Sequence, residues 1–111
     1  MSKLTTHVLN TAIGKPGSGI SVILEHFISG KWIAIAKCKT NDDGRISDFP
    51  EITSGENEMY RITFFTEDYF KGRNESCFYP KVTIEFYIYD ESHYHVPLLI
   101  SPYGYSTYRG S

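Results

Sequence analysis

The sequence predicts an all-β sandwich with one short helix, built as a single domain over all 111 residues. Three observations carry that prediction. Nine Tyr, seven Phe and one Trp are a heavy aromatic load for so short a chain, and with Val, Ile and Thr they favour pleated sheet over helix. Clusters of Gly, Pro, Asn and Asp cut the chain at fairly regular intervals into short segments, the punctuation of an all-β fold. Several of those segments alternate apolar and polar residues with a period of two, so that one face of each is buried. At this length about two-thirds of the unfolded chain's surface can be buried, enough for one core and too little for two.

Residues 5–11 read as the first strand and residues 14–19 as a Gly-rich loop. Residues 20–28 form a second strand with Ile20, Val22 and Leu24 on one face, and Ser29-Gly30 turns the chain back. In the third, residues 32–39, Trp32, Ala34 and Ala36 alternate with Ile33 and Ile35. Apolar residues on both faces predict a central strand covered on both sides. Asn41-Asp42-Asp43-Gly44 makes the next turn, and Phe49-Pro50 and Gly55 leave room only for a short strand after Arg45. Tyr60, Ile62 and Phe64 line one face of another strand, and Val82, Ile84, Phe86 and Ile88 one face of a later one. Between them residues 66–72 have a capping Thr, two acids in the first turn, a late Lys and a closing Gly, which predicts the helix. The chain returns over residues 93–100, breaks at Ser101-Pro102 and ends with a strand over residues 104–108.

Charge excludes several classes of function. Eleven Lys and Arg against thirteen Asp and Glu give a net charge of −2, with no basic field to neutralise phosphates, so no nucleic-acid partner is expected. No apolar run approaches the roughly 18–20 residues that cross a bilayer, and the first residues lack the pattern of a secretory leader, which predicts a cytosolic protein with no membrane partner. Cys38 and Cys77 have neither the spacing nor the number of a metal or disulfide framework and are expected as free thiols. Without secretion the sequon at Asn74-Glu75-Ser76 carries no meaning.

Among the motifs, the Gly-rich loop lacks the closing Gly-Lys-Ser/Thr of a phosphate cradle and is followed by β-branched residues, so it reads as a turn. The Gly44 region fails as a calcium loop, because Lys39 and Pro50 stand where ligands belong. His93-Tyr94-His95 places two imidazoles on the same side of a strand, an arrangement that serves acid–base or metal sites but is also common on a solvent face, and no cluster of further ligands supports zinc. His7 and His26 allow the same two readings. Arg45 beside Asp42, Asp43 and Asp48 reads at first as a surface ion-pair former. The tail is different: chain ends are usually frayed and polar, yet residues 102–111 are aromatic and strand-like. Tyr103, Tyr105 and Tyr108 predict an oligomer interface to which the terminal carboxylate is brought.

Together, His7-Val8-Leu9-Asn10-Thr11, Gly14-Lys15-Pro16, Gly44-Arg45, Tyr60-Arg61, Asp68-Tyr69-Phe70, Phe78-Tyr79-Pro80, His93-Tyr94-His95-Val96-Pro97-Leu98-Leu99, Ser101-Pro102 and Tyr108-Arg109-Gly110-Ser111 resemble the transthyretin-like 5-hydroxyisourate hydrolases over nearly the whole chain. The terminal tetrapeptide is the most specific mark, since it is absent from the hormone-carrying transthyretins. The resemblance implies two four-stranded sheets with a short helix and a homotetramer made of two dimers, with active sites in the channel where dimers meet. It implies 5-hydroxyisourate as substrate, opened to a carboxylated ureido-imidazoline, with no cofactor and no metal. The functional residues it implies are His7, Arg45, His95 and the tetrapeptide through Ser111, with Tyr108 at the substrate; His93 is not among them.

These side chains suit the chemistry. Opening a cyclic acyl C–N bond needs a deprotonated water, stabilisation of the oxyanion and a proton for the departing nitrogen. One of His7 and His95 would act as general base, and Arg45 would bind the electron-rich oxygens through a guanidinium that keeps its proton. The Ser111 carboxylate or a hydroxyl would orient the imidazole. A covalent serine route has no legible Ser-His-acid set. The competing expectation is a non-catalytic carrier of a small aromatic ligand on the same fold.

Overall fold

In the computed structural model, which describes residues 2–111, nine strands form two sheets that close on one core. The strands are β1 (Leu4–Asn10), β2 (Lys15–Pro16), β3 (Ser21–Ile28), β4 (Lys31–Lys39), β5 (Arg45–Ile46), β6 (Met59–Phe64), β7 (Val82–Tyr87), β8 (Tyr94–Ser101) and β9 (Gly104–Thr107), with helix α1 (Thr66–Gly72) between β6 and β7. One sheet runs β2-β1-β8-β9, with β5 also on β1, and the other β4-β3-β6-β7. The expected two four-stranded sheets are thus one of five and one of four. The extra strand arises because two dipeptides share one edge of β1 end to end: β2 pairs with Leu9 and Asn10, β5 with Thr6 and His7.

Alternation decides which side chains enter the core. Leu4, Thr6, Val8 and Asn10 of β1 are buried and the residues between them are not. Val96, Leu98 and Ile100 of β8 meet Val22 and Leu24 of β3 and Ile62 and Phe64 of β6 in one cluster, each buried side chain contributing roughly 1.5–3 kcal/mol. The buried polar groups are satisfied: Thr6 Oγ1 donates to the Val96 carbonyl at 2.6 Å and Asn10 Nδ2 to the Tyr69 hydroxyl at 3.1 Å.

β1 and β8 run parallel over seven register pairs, from Leu4 with Tyr94 to Asn10 with Ile100. Opposite residues share a face, so Thr5 and His7 emerge on the same outer surface as His95 and Pro97. β5 extends that surface, because Arg45 lies opposite His7.

Three local expectations are corrected. Residues 31–39 form an edge strand, not a central one: β4 pairs only with β3, and Ile33 is 43% exposed. Its apolar residues on both faces reflect a bulge opposite Leu24 and Glu25 together with a lightly covered outer face. Thr66 is the first helical residue and caps nothing; its buried hydroxyl donates to the Tyr79 carbonyl at 3.4 Å. Gly72 is helical rather than the stop. Asn74 takes the left-handed conformation (φ 59°), its amide bonding the Lys71 carbonyl and that of Glu75 the Phe70 carbonyl, which is a Schellman ending.

Gly44 fixes β5 against β1. Its φ is +73°, and a Cβ there would lie 2.4 Å from the Val8 carbonyl oxygen, while its own carbonyl accepts from the Val8 amide at 2.7 Å. Gly44→Ala should therefore cost about 1–3 kcal/mol from backbone strain alone, with a further loss from the collision, measured as a lowered midpoint of thermal unfolding.

Candidate active site

Three adjacent strands bring His7, Arg45 and His95 together. His7 faces Arg45 across the β1–β5 ladder, and His95 lies opposite Thr5 across the β1–β8 ladder, two residues along the same face. The electrostatics reflect this closeness. Partial burial, followed by the Arg45 charge, holds the His7 imidazole below its ordinary pKa, against an opposing pull from the Asp43 carbonyl and carboxylate. Burial, then Arg45, His93 and His7 hold His95 down, opposed by the backbone carbonyl of Thr5. Both rings are thereby kept neutral and able to accept a proton near neutral pH. Among the described residues none of Asp42, Asp43 and Asp48 forms an ion pair with Arg45, so the surface ion-pair expectation does not hold, and the exposed guanidinium acts by its charge on both imidazoles.

Thr5 is the residue that sequence reasoning missed. Its Oγ1 lies 2.8 Å from His95 Nδ1 and 2.8 Å from His93 Nε2, so one hydroxyl joins the two imidazoles, whose centroids are 6.4 Å apart. His93 and His95 do emerge on one side, as strand geometry predicts. Only the parallel register, invisible in a single segment, places Thr5 between them.

The tail is held in two steps. Arg109 stacks over the Tyr94 ring, 4.3 Å from its centroid, and donates to Ser92 Oγ at 3.2 Å. Tyr94 in turn donates to the Asp90 carboxylate at 3.1 Å, and the Ser92 hydroxyl and amide, with Tyr94 and Arg109, keep that carboxyl below its ordinary range. Gly110 then re-joins β8, its amide donating to the His95 carbonyl at 2.7 Å. A Cβ on Gly110 would lie 2.7 Å from Cδ2 of the His95 ring; only glycine lets the chain lie against the imidazole. Ser111 follows directly and is exposed. Tyr108 is not brought to the imidazoles within the single chain. It lines a separate apolar crevice of about 250 Å³ with Phe86, Tyr94 and Val96.

The remaining candidates resolve structurally. His26 bonds Glu58 and stacks on Tyr60 at 4.2 Å in the other sheet. In the Gly-rich loop the amides of Gly17 and Gly19 are spent on the carbonyls of Val8 and Thr40, leaving neither for a phosphate. Both cysteines are free and half-buried. Among the described residues no group of three or more His, Cys, Asp and Glu side chains could hold a metal ion, and no helix is long and apolar enough to cross a membrane.

Comparison with known proteins relates the whole chain to one family. A family model described as the HIUase/Transthyretin family matches residues 4–110. The 5-hydroxyisourate hydrolase of Deinococcus radiodurans is 45% identical over 97% of this chain and 95% of its own length. The structure of Klebsiella pneumoniae 5-hydroxyisourate hydrolase superposes with a TM-score of 0.85 at 35% identity, covering 99% of this chain and all of that one. Sea bream transthyretin, solved in complex with thyroxine, gives a TM-score of 0.91 at 24% identity over 97% of this chain and 94% of its own, a likeness of fold alone.

Two outcomes follow. Gly110→Ala should turn the His95 ring or lift the tail, seen as a displaced His95 in a crystal structure or altered His95 ring resonances, with little change in unfolding midpoint. The depressed imidazoles also link stability to pH: below about 6.5 the unfolded chain binds protons that folded His7 and His95 refuse, so stability falls as pH falls until the lower folded values are reached. His95→Gln should narrow the difference in unfolding midpoint between pH 7.5 and 5.5.

Proposed function

The chain belongs to the HIUase/transthyretin family, and from that membership and the site just described we propose that it hydrolyses 5-hydroxyisourate, the product of urate oxidation, to 2-oxo-4-hydroxy-4-carboxy-5-ureidoimidazoline. It is a hydrolase of purine breakdown acting on a cyclic amide C–N bond. The observation that carries this reading is the convergence of two neutral imidazoles and an Arg45 free of carboxylate partners on one face.

His95 is the general base in this reading. Its Nδ1 lies 2.8 Å from the Thr5 hydroxyl, which also meets His93 Nε2 at 2.8 Å. In this reading the hydroxyl donates to His93 and accepts from Nδ1–H of His95, which leaves Nε2 with a lone pair for water. Arg45 binds the substrate oxygens and stabilises the oxyanion as it forms. His7, opposite Arg45 on β1, orients the substrate ring. The carboxylate or hydroxyl of Ser111, one residue beyond the glycine against His95, orients the water or the imidazole. Tyr108, substrate-binding by resemblance, serves the site by seating the tail in its crevice. A non-catalytic carrier of an aromatic ligand would leave the His7, Arg45 and His95 set without a task.

The outer face of the first sheet is open in one chain, and the edge strands β7 and β9 expose Tyr87 and Tyr105. Pairing at such edges and stacking of two dimers would close the site in a channel, so the active form is a homotetramer, and the cytosol is its compartment. Sedimentation should give a mass four times that of the chain.

The test generates 5-hydroxyisourate from urate in the cuvette and follows its ultraviolet decay. The protein should accelerate the decay; no acceleration over the spontaneous rate ends the proposal. Arg45→Ala and His95→Ala should each lose about 10²–10⁴ in rate while remaining folded, with His93→Ala losing less than His95→Ala. The rate should fall on the acid side, at a pH lower than an ordinary imidazole would give because both rings are held down, since protonating either one removes the base or adds repulsion at the site. A bulky tag after Ser111 should disable the enzyme.

A further inference from the structure

A base beside Arg45 faces a difficulty: the proton it removes from water makes an imidazolium next to a guanidinium. The side chains whose charge acts on His95 are all basic, namely Arg45 from β5, His7 from β1 and His93 just ahead of β8. The Asp43 carboxylate acts on His7 instead, and the one acid brought near is the Ser111 carboxylate, one residue beyond the glycine against the ring. Ser111 is exposed to solvent, and none of these side chains neutralises the charge His95 would gain. The structure offers it a way out, because Nδ1, on the far side of the ring from Nε2, touches a hydroxyl that also touches the exposed His93.

We propose that Thr5 is a proton relay, whose hydroxyl passes the charge gained by His95 on to His93 at the solvent edge and returns it later in the turnover. This rests on the reading of His95 as the base. The steps balance. His95 Nε2 takes a proton from water, its Nδ1 proton moves to Thr5 Oγ1, and the Thr5 hydroxyl proton moves to His93 Nε2. His95 is then neutral with its proton on Nε2, and the positive charge sits on His93, away from Arg45. In reverse, His93 returns a proton through Thr5 to Nδ1 as Nε2 releases its proton to the departing ring nitrogen. One imidazole so serves as base and then as acid without holding a charge beside the guanidinium. Thr5 and His93 are positioning residues that act through His95.

The geometry also makes the two histidines' protonation states exclusive of one another in form. One hydroxyl has one proton. When His93 is neutral, the Thr5 hydroxyl donates to it and accepts from His95 Nδ1; when His93 is protonated, its Nε2–H occupies the Thr5 oxygen and the hydroxyl must donate to His95 Nδ1, which moves the His95 proton to Nε2.

Long-range nitrogen–proton NMR of the imidazoles, on the protein alone, tests this without any assay. In the wild type His95 should carry its proton on Nδ1 at pH 8 and shift it to Nε2 as His93 is protonated. In Thr5→Val, close in shape and equally β-branched, that coupling should vanish, and Thr5→Ser should restore it. An unchanged His95 tautomer across the wild-type titration, or the same response in Thr5→Val, overturns the relay. Kinetics supply the second reading. Thr5→Val should lower kcat about ten-fold or more with KM nearly unchanged, Thr5→Ser should recover most of it, and His93→Gln, normalised to its own plateau, should lose one proton from the slope of the acid limb. Plain repulsion by His93 predicts the contrary, an acid limb moved to higher pH at unchanged slope. Tautomer coupling without hydrolysis would leave the relay standing and sink the proposed reaction; hydrolysis without coupling would do the reverse.

Discussion

The parallel pairing of β1 with β8 is the constraint on which the site depends. Its register sets Thr5 opposite His95 and His7 two residues further along the same face, and β5, gripped at Gly44, adds Arg45 opposite His7. A slip of one residue in either ladder would send one group to the core face and break the set. The same pairing buries Leu4, Val8, Val96 and Leu98 on its inner side, so the burial that stabilises the sandwich also holds the imidazoles in place.

Much of this was legible in the sequence because it rests on local pattern. The period of two in residues 59–64 and 82–87, the helix at residues 66–72 and the turns at Gly30 and Gly44 all follow from side-chain chemistry within a few positions. What escaped was non-local or energetic. Residues 31–39 look like a buried strand because Trp32, Ile33 and Ile35 are apolar, but only the sheet order reveals an edge. The helix stop lies at Asn74 rather than Gly72, since either residue tolerates the left-handed conformation and the carbonyls of Phe70 and Lys71 choose between them.

The site shows the same division. His7, Arg45 and His95 were named from a resemblance in motifs, and their juxtaposition is a matter of register. Thr5 carried no signal, because a threonine in a strand is ordinary and its partners are 88 and 90 positions away. The tail drew attention by its tyrosines, yet its contact with the imidazole is made by Gly110, the residue with no side chain. Aromatic residues anchor the approach and glycine makes the closest contact.

The distance along the chain between the two halves of the β1–β8 ladder has a consequence for biogenesis. A ribosome releases β1 long before its neighbour β8 exists, since β3, β4, β6, α1 and β7 are all made between them. The nascent chain can form the β3-β4 hairpin and its sheet early, while β1 waits with an unsatisfied inner edge. Closing a loop of this span is slow and entropically costly. Until it closes, Thr6, Val8 and their neighbours form an exposed strand edge open to wrong pairing. Activity can arise only once β8 has been made and has closed on β1, which makes the appearance of function a report on completed folding of the sandwich.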